Sequence, residues 1–125
     1  MDEHEFKKRT KRIALDAIHL VDSLPRGRSS DVIGKQLLRS ATSIGANYRA
    51  ACRAKSKADL IAKLAIVEEQ ADESLYWMEL LLESGLASQN HLAELMHQTD
   101  QIVAMVVASI KTLRGYTANN PKSKT

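Results

Sequence analysis

The sequence predicts an all-α protein, an up-and-down antiparallel four-helix bundle, from three observations. Apolar residues recur at steps of three and four along four separate segments, which is the spacing of one face of an α-helix. Aromatic residues make up only 4% of the chain and there are two prolines, whereas Ala, Leu, Ile, Lys and Glu are abundant, so the composition favours helix over sheet. Only a few residues join each segment to the next, so consecutive helices must run antiparallel.

The length of the chain is that of one domain. It has 125 residues, of which 44% are hydrophobic, enough to form one continuous core. We predict a bundle over residues 1–115. Residues 116–125 are rich in Asn, Ser and Lys and are predicted to form a disordered C-terminal tail.

Turn residues bound the first two predicted helices. Helix one runs over residues 6–24, and Pro25 and Gly27 stop it. The Ser-Ser-Asp run at 29–31 is expected to cap helix two, which continues to Ala54. The apolar stripes comprise Phe6, Thr10, Ile13, Ala14, Ala17, Val21 and Leu24 on helix one, and Ile33, Leu37, Ala41, Ile44, Tyr48 and Ala51 on helix two.

Capping residues also bound the last two helices. Ser56 followed by Asp59 resembles a capping box and starts helix three, and Gly85 closes that helix in the C′ position. Ser88 is the expected cap of helix four, which ends at Gly115. The stripes comprise Ile61, Leu64, Ala71, Leu75, Met78 and Leu82 on helix three, and Leu92, Leu95, Met96, Thr99, Ile102, Val103, Val106, Ile110 and Leu113 on helix four.

One acidic residue falls within an apolar stripe. Glu68 follows Leu64 and precedes Ala71 in the three-four spacing of helix three. A buried carboxylate requires hydrogen-bond donors or a charged partner. We predict a structural role for it, with donors from helix two; the predicted buried polar residues are Glu68, Ser40, Ser43 and Asn47.

Basic and acidic residues are segregated along the chain, whose net charge is +3. Residues 30–57 carry six Lys or Arg and one Asp, whereas residues 58–87 carry one Lys and seven Asp or Glu. The basic side chains of helix two fall within a sector roughly 80° wide over about 27 Å, which fits a phosphate backbone. We predict that RNA or DNA binds there without base specificity, through Lys35, Arg39, Arg49 and Arg53, aided by Lys7, Lys8, Arg9, Lys11 and Arg12.

Two other interpretations of these charges remain open. An ordinary solvated helix face would carry the same residues. In the second, the chain is a protein–protein assembly or adaptor module that binds no nucleic acid, and its helix-two arginines contact the acidic outer face of helix three in another copy. Apolar and acidic residues off the stripes are the predicted oligomer interface: Leu15, Glu69, Glu73, Tyr76, Trp77 and Leu80.

The sequence offers little for catalysis. It has no Ser nucleophile elbow, no Cys beside a His and no Gly-rich phosphate loop. The one enzymatic alternative is a metal site built from Asp16 and His19 on helix one with Glu94 and His97 on helix four, as in carboxylate-bridged bundles. Helical geometry places all four away from the apolar stripes, so we predict no enzyme, no metal and no cofactor.

The predicted location is cytoplasmic. The N-terminal residues show no secretory signal, and the longest late apolar stretch, residues 101–110, is about half of what a membrane span needs. We expect no membrane association. Cys52 stands alone and has no metal or redox spacing, so it is expected to be a packing residue.

Three segments of the sequence resemble ribosomal RNA intervening-sequence proteins. They are QLLRSATSIGANYR at 36–49, AKSKADLIAK at 54–63 and EEQADESLYW at 68–77, and the likeness covers about residues 6 to 115. The chain departs from the pattern at Ala50, where Glu is expected. The resemblance implies a four-helix bundle that assembles as a ring of five subunits. It also implies similarity to the accessory protein of diversity-generating retroelements, which binds nucleic acid and a reverse transcriptase through a basic surface. It does not imply a known activity.

Overall fold

The computed structural model describes residues 2–119, with side chains for residues 2–115. Its four helices are α1 (Glu3–Asp22), α2 (Arg28–Ala51), α3 (Lys57–Glu83) and α4 (Gln89–Asn119). Each helix packs against the next in sequence, and α4 packs back against α1. The predicted all-α, up-and-down four-helix bundle is confirmed.

The start of α1 is fixed by a cap that the apolar stripe does not reveal. Asp2 is the N-cap, and its Oδ1 accepts a hydrogen bond from the backbone N–H of Glu5 at 2.7 Å. The carboxylate satisfies one of the free N–H groups of the first turn and suits the positive end of the helix dipole. The helix therefore begins at Glu3, ahead of the predicted start at Phe6.

The bounds of α2 differ from the prediction at both ends. Its N-cap is Gly27, with φ 156° and ψ 162°, rather than the serines that follow. Only glycine occupies this backbone region readily, so the chain turns there and the helix begins at once. At the other end α2 stops at Ala51, so Arg53 lies in the turn to α3 rather than on the helix.

The capping box predicted at the start of α3 is present. Ser56 Oγ accepts from the backbone N–H of Asp59 at 3.0 Å, and the Asp59 carboxylate accepts from the backbone N–H of Lys55 at 3.0 Å. Lys63 Nζ donates to the same carboxylate at 2.6 Å. The bond from Lys63, followed by that from Lys55, lowers the pKa of Asp59 below its usual range.

Replacing the cap Ser56 by Ala is expected to lower the free energy of unfolding by about 1 kcal/mol, because the N–H of Asp59 loses its protein partner. For a chain of this length that corresponds to a fall in melting temperature of about 4 °C. Thermal unfolding followed by circular dichroism measures the change. Ser84→Ala is the matched control: it alters an exposed serine at the opposite end of α3, and a loss as large there would contradict the capping account.

The turn between α3 and α4 follows the predicted chemistry. Gly85 has φ 79°, in the left-handed region that favours glycine, and follows the C-cap Ser84. Ser88 Oγ accepts from the backbone N–H of His91 at 3.3 Å at the start of α4. The helix then continues through Gly115 to Asn119, so the predicted domain boundary lies inside it; the rest of the predicted tail, 120–125, lies outside the described residues.

The core runs along the bundle axis and includes the residues predicted at its centre. Ile13, Leu37, Ile44, Met78 and Ile102 are all 1% exposed or less. On α3, however, every second buried residue lies one position before the one predicted. The fully buried or nearly buried residues of that helix are Leu64, Val67, Ala71, Ser74, Met78 and Leu81.

That shift corrects the prediction for Glu68. Val67 fills the core position, and Glu68 is only half-buried, beside the core instead of within it. Gln70, which bonds to α2, lies on the opposite flank of α3, because two residues correspond to about 200° of rotation. Glu68 therefore points away from the donors that were expected on α2.

The buried polar contact between α2 and α3 is a pair of serines. Ser74 Oγ donates to Ser40 Oγ at 2.9 Å, and both side chains are fully buried. Of the other predicted buried polar residues, Ser43 and Asn47 are half-buried and bond within α2: Ser43 to the carbonyl of Arg39, and Asn47 to the carbonyl of Ser43. The hydroxyl pair is satisfied without any charge in the core.

In the part of the chain that the structure describes, no helix is both long enough and apolar enough to cross a membrane.

Candidate nucleic-acid interface

Two glycines bring α1 and α2 close together. A Cβ atom added at Gly45 would lie 3.1 Å from Thr10 Oγ1, and one added at Gly34 would lie 3.1 Å from a methyl of Val21. The two glycines are 11 residues apart, about three helical turns, so they share one face of α2. Two glycines at that spacing indicate that another helix packs closely on this face of α2. The sequence analysis did not use this signal.

A groove between α1 and α2 gathers three cationic side chains; we call it the α1–α2 groove. Lys7 and Lys11 lie on its α1 side and Arg49 on its α2 side, and its volume is about 200 Å³. Its remaining lining is small: Thr10, Ala14, Thr42, Gly45 and Ala46. Because no large side chain rises from the floor, an extended anion can approach the helix surfaces while the cations reach it from both sides.

The three cations differ in their own partners. Lys7 Nζ pairs with Glu3 at 2.9 Å, four residues earlier on α1, and Glu3 is 59% exposed. Within residues 2–115, the structure shows no ion pair for Lys11 or Arg49. Exposed pairs at this spacing contribute little to stability, so Glu3 is a weak competitor for Lys7.

Lys35 lies on the same side of the bundle, nearer the start of α2. It lines a second groove with Arg26, Leu38 and the acidic Asp31. Its side chain is exposed. The predicted basic face of α2 therefore has two cationic ends, at Lys35 and at Arg49, with Thr42 and Ala46 between them.

Arg39 behaves differently from the other predicted binding residues because it turns toward α3. Its Nη2 forms an ion pair with Glu73 Oε2, and its Nη1 donates to Gln70 Oε1 at 3.4 Å. Its Nε donates to Gln36 Oε1 at 3.1 Å. Although Arg39 is half exposed, its charge is thus already matched within the subunit.

The same carboxylate holds the single tryptophan of the chain. Trp77 Nε1 donates to Glu73 Oε2 at 2.9 Å, and the ring is half-buried against the core. Arg39, predicted for nucleic acid, thus lies in one network with Glu73 and Trp77, predicted for the oligomer interface. We call these three residues the Arg39–Glu73–Trp77 network.

The cations of α1 divide between two sides of the helix. Lys8 is exposed, and Arg12 pairs with Asp16 at 3.2 Å. Arg9 faces α4, where it donates to Gln98 at 2.8 Å and to Gln101. Arg9 therefore helps to join α1 to α4 and is removed from the predicted basic face.

The predicted oligomer-interface residues on α3 differ in exposure: Glu69 and Tyr76 are exposed, whereas Glu73, Trp77 and Leu80 are half-buried. Tyr76 is 53% exposed and its ring packs edge-on against Trp77, with centroids 5.1 Å apart. Leu15, the predicted interface residue of α1, is 46% exposed on a different side of the bundle.

Only some of the residues of the alternative metal site lie near one another. Asp16 and His19 of α1 share a groove of about 370 Å³ with His91 and Glu94 of α4, whereas His97 is exposed and outside that groove. Across residues 2–115, no three His, Cys, Asp or Glu side chains come close enough to hold a metal ion.

An apolar cavity of about 450 Å³ opens at the end of the bundle where α1 and α3 begin. Phe6 and Tyr48 stack over it with ring centroids 4.2 Å apart, and the half-buried Cys52 lies beside them. Burial raises the pKa of the Tyr48 hydroxyl. The hydroxyl therefore stays neutral, and the cavity adds no charge to the surface near the α1–α2 groove.

Comparison with known proteins agrees with the resemblance seen in the sequence. Residues 2–108 match the family model described as 23S rRNA-intervening sequence protein. A crystal structure of a protein with unknown function from the S23 ribosomal protein family of Bacteroides thetaiotaomicron is 33% identical, with a TM-score of 0.81. The match covers 89% of this chain and 99% of that one. No curated protein matches the sequence.

Proposed function

The chain belongs to the 23S rRNA-intervening sequence protein family, and we propose that it is a non-enzymatic, homo-oligomeric protein that binds the phosphate backbone of RNA or DNA. The ring of five subunits implied by the family resemblance is part of this proposal. The observation that carries it is the convergence of Lys7, Lys11 and Arg49 on the small-residue floor of the α1–α2 groove.

The residue types in the groove favour backbone contact over base recognition. Lysine ammonium and arginine guanidinium groups attract phosphate, and each contact releases a counterion from the nucleic acid. Base readout from single strands requires aromatic platforms for stacking. None of the described residues that line the groove is aromatic, so sequence-independent binding of RNA and DNA is expected.

The same make-up supports binding over catalysis. Among the described residues, the groove is lined by no His, Asp or Glu, the side chains that most often act as general bases. Cations alone neutralise phosphate charge and position the backbone. Thr10 and Thr42 add hydroxyls, but both already donate to helix carbonyls, of Lys7 and Leu38 respectively.

The test is the salt dependence of binding. Fluorescence anisotropy with a labelled single-stranded RNA of about 20 nucleotides should give a log–log slope near −2 for three phosphate contacts. DNA of the same sequence should bind with similar affinity. Absence of RNA and DNA binding at about 0.05 M salt would rule out the proposed function.

A second candidate, assembly without nucleic acid, is favoured by a different observation. Tyr76 and Ile66 are 53% and 42% exposed on the acidic outer side of α3. The exposed apolar residues of α3 in one copy would pack on the small-residue floor of the α1–α2 groove in the next copy, in a head-to-tail contact. The acidic residues around them would pair with the cations of that groove. In that case charge reversal at Arg39, Arg49 and Arg53 disperses the oligomer and there is no nucleic-acid affinity to lose.

A further inference from the structure

Glu73 is the acceptor for two donors from different helices. Arg39 Nη2 reaches it from α2 and Trp77 Nε1 from one turn further along α3, at 2.9 Å for the indole. The carboxylate is about one-third exposed. It therefore occupies, at the outer border between α2 and α3, the place that a phosphate oxygen would take beside Arg39.

Without that partner Arg39 would belong to the cationic face of α2. It lies four residues after Lys35, so the two side chains are neighbours on one side of the helix. Within the described residues Lys35 and Arg49 have no ion pair, whereas Arg39 has one. The difference is due to α3, because only Arg39 leans far enough to reach Glu73.

We propose that Glu73 is an internal competitor that withholds Arg39 from the phosphate-binding face, and that a bound polyanion releases it. The inference rests on the proposed function and specifies how that face is regulated. Exposed ion pairs are weak and easily screened, so a phosphate chain held by Lys11 and Arg49 can draw Arg39 away from the carboxylate. When Arg39 leaves, the Trp77 indole still donates to the Glu73 carboxylate, but the positive charge beside that carboxylate is gone.

Glu73→Gln tests the competition directly. The amide keeps the size of the side chain and can still accept from Trp77, but it no longer holds the guanidinium by charge. Because Arg39 no longer has to leave an ion pair, single-stranded RNA binding should tighten about twofold to fivefold at about 0.1 M salt. The gain should shrink as the salt concentration rises, because salt also screens the pair in the natural chain. Anisotropy titrations at several salt concentrations measure both.

Glu79→Gln is the matched control, because it removes the same charge from an exposed site on α3 that has no contact with Arg39. Equal RNA affinities for the two variants would overturn the inference. The fluorescence of Trp77, the only tryptophan, gives an independent readout. RNA should change its emission in the natural chain and much less in Glu73→Gln; an unchanged emission on saturation of the natural chain would also overturn it.

Retention on heparin separates this inference from the proposed function. Heparin is a polyanion without bases or nucleotides, so it tests Arg39 even if RNA does not bind. Later elution of Glu73→Gln than of Glu79→Gln, with no RNA binding by either, would refute the proposed function and support the internal competition. Co-elution of the two variants would refute the competition.

Discussion

Charge reversal of two cations of the α1–α2 groove, Lys11→Glu with Arg49→Glu, is expected to weaken single-stranded RNA binding at about 0.1 M salt on the order of 25-fold. Each phosphate contact to a single strand contributes about 0.7 logarithmic units at that concentration through counterion release, and the new carboxylates add repulsion. The log–log salt slope should become shallower by about 1.4. Anisotropy titration against the labelled RNA measures both quantities.

The matched control reverses two lysines outside the groove, Lys57→Glu with Lys111→Glu, which changes the net charge equally. It should weaken binding much less than the groove variant, since Lys57 begins α3 and Lys111 lies on α4. Equal losses would mean that net charge, and not the groove, attracts the RNA. Dispersal of the oligomer by the groove variant, measured by light scattering, would favour the assembly function instead.

The largest expected effect on stability is at the centre of the bundle. Leu37 on α2 is fully buried, so Leu37→Ala leaves a cavity and should lower the free energy of unfolding by about 2–5 kcal/mol. A small domain has about 5–15 kcal/mol in total, so the loss is a large fraction of it. The melting temperature should fall by about 8–20 °C, which differential scanning calorimetry measures.

Val32→Ala is the control for that prediction, because Val32 is also on α2 but is 57% exposed. It should change stability by less than about 0.5 kcal/mol. A similar loss for both variants would indicate that the outer side of α2 is buried against another molecule in solution. That result would contradict an open cationic face.

The fold was predictable because its signals are local and repeated. Each helix carries several turns of three-four apolar spacing, so a shift of one residue at an end does not hide it. The cap at Ser56 and the left-handed Gly85 were predicted from single residues whose chemistry suits those positions. The start of α2 was not, because a Gly27 conformation and a serine cap both agree with the sequence of that turn.

The buried side of α3 shows a limit of periodicity. Leu64, Ala71 and Met78 were predicted and are buried. In the structure, the next buried residue lies three positions after each of these, as Val67 follows Leu64. The sequence analysis placed it four positions after, at residues such as Glu68. Both choices give three-four spacing, and only the placement of α2 and α4 around α3 decides between them.

For the candidate site, the sequence predicted which side chains face outward, but it did not predict which residues they pair with. The spacing of Lys35, Arg39 and Arg49 correctly placed all three on the exposed side of α2. Within that sector, a difference of about 40° in position around the helix axis decides whether a guanidinium faces α1 or reaches α3. The pairing of Arg39 with Glu73 spans 34 residues and depends on the register of two helices, which no local pattern encodes.

The central claim is that RNA lies along the α1–α2 groove, and lysine acetylation mapped by mass spectrometry tests it most directly. The chain of 125 residues is acetylated briefly with and without saturating RNA, and the acetylation of each lysine is compared between the two samples. RNA should protect Lys7 and Lys11 and leave Lys111 of α4 unchanged. Equal protection of Lys111, or no protection of Lys7 and Lys11 by bound RNA, would contradict the claim.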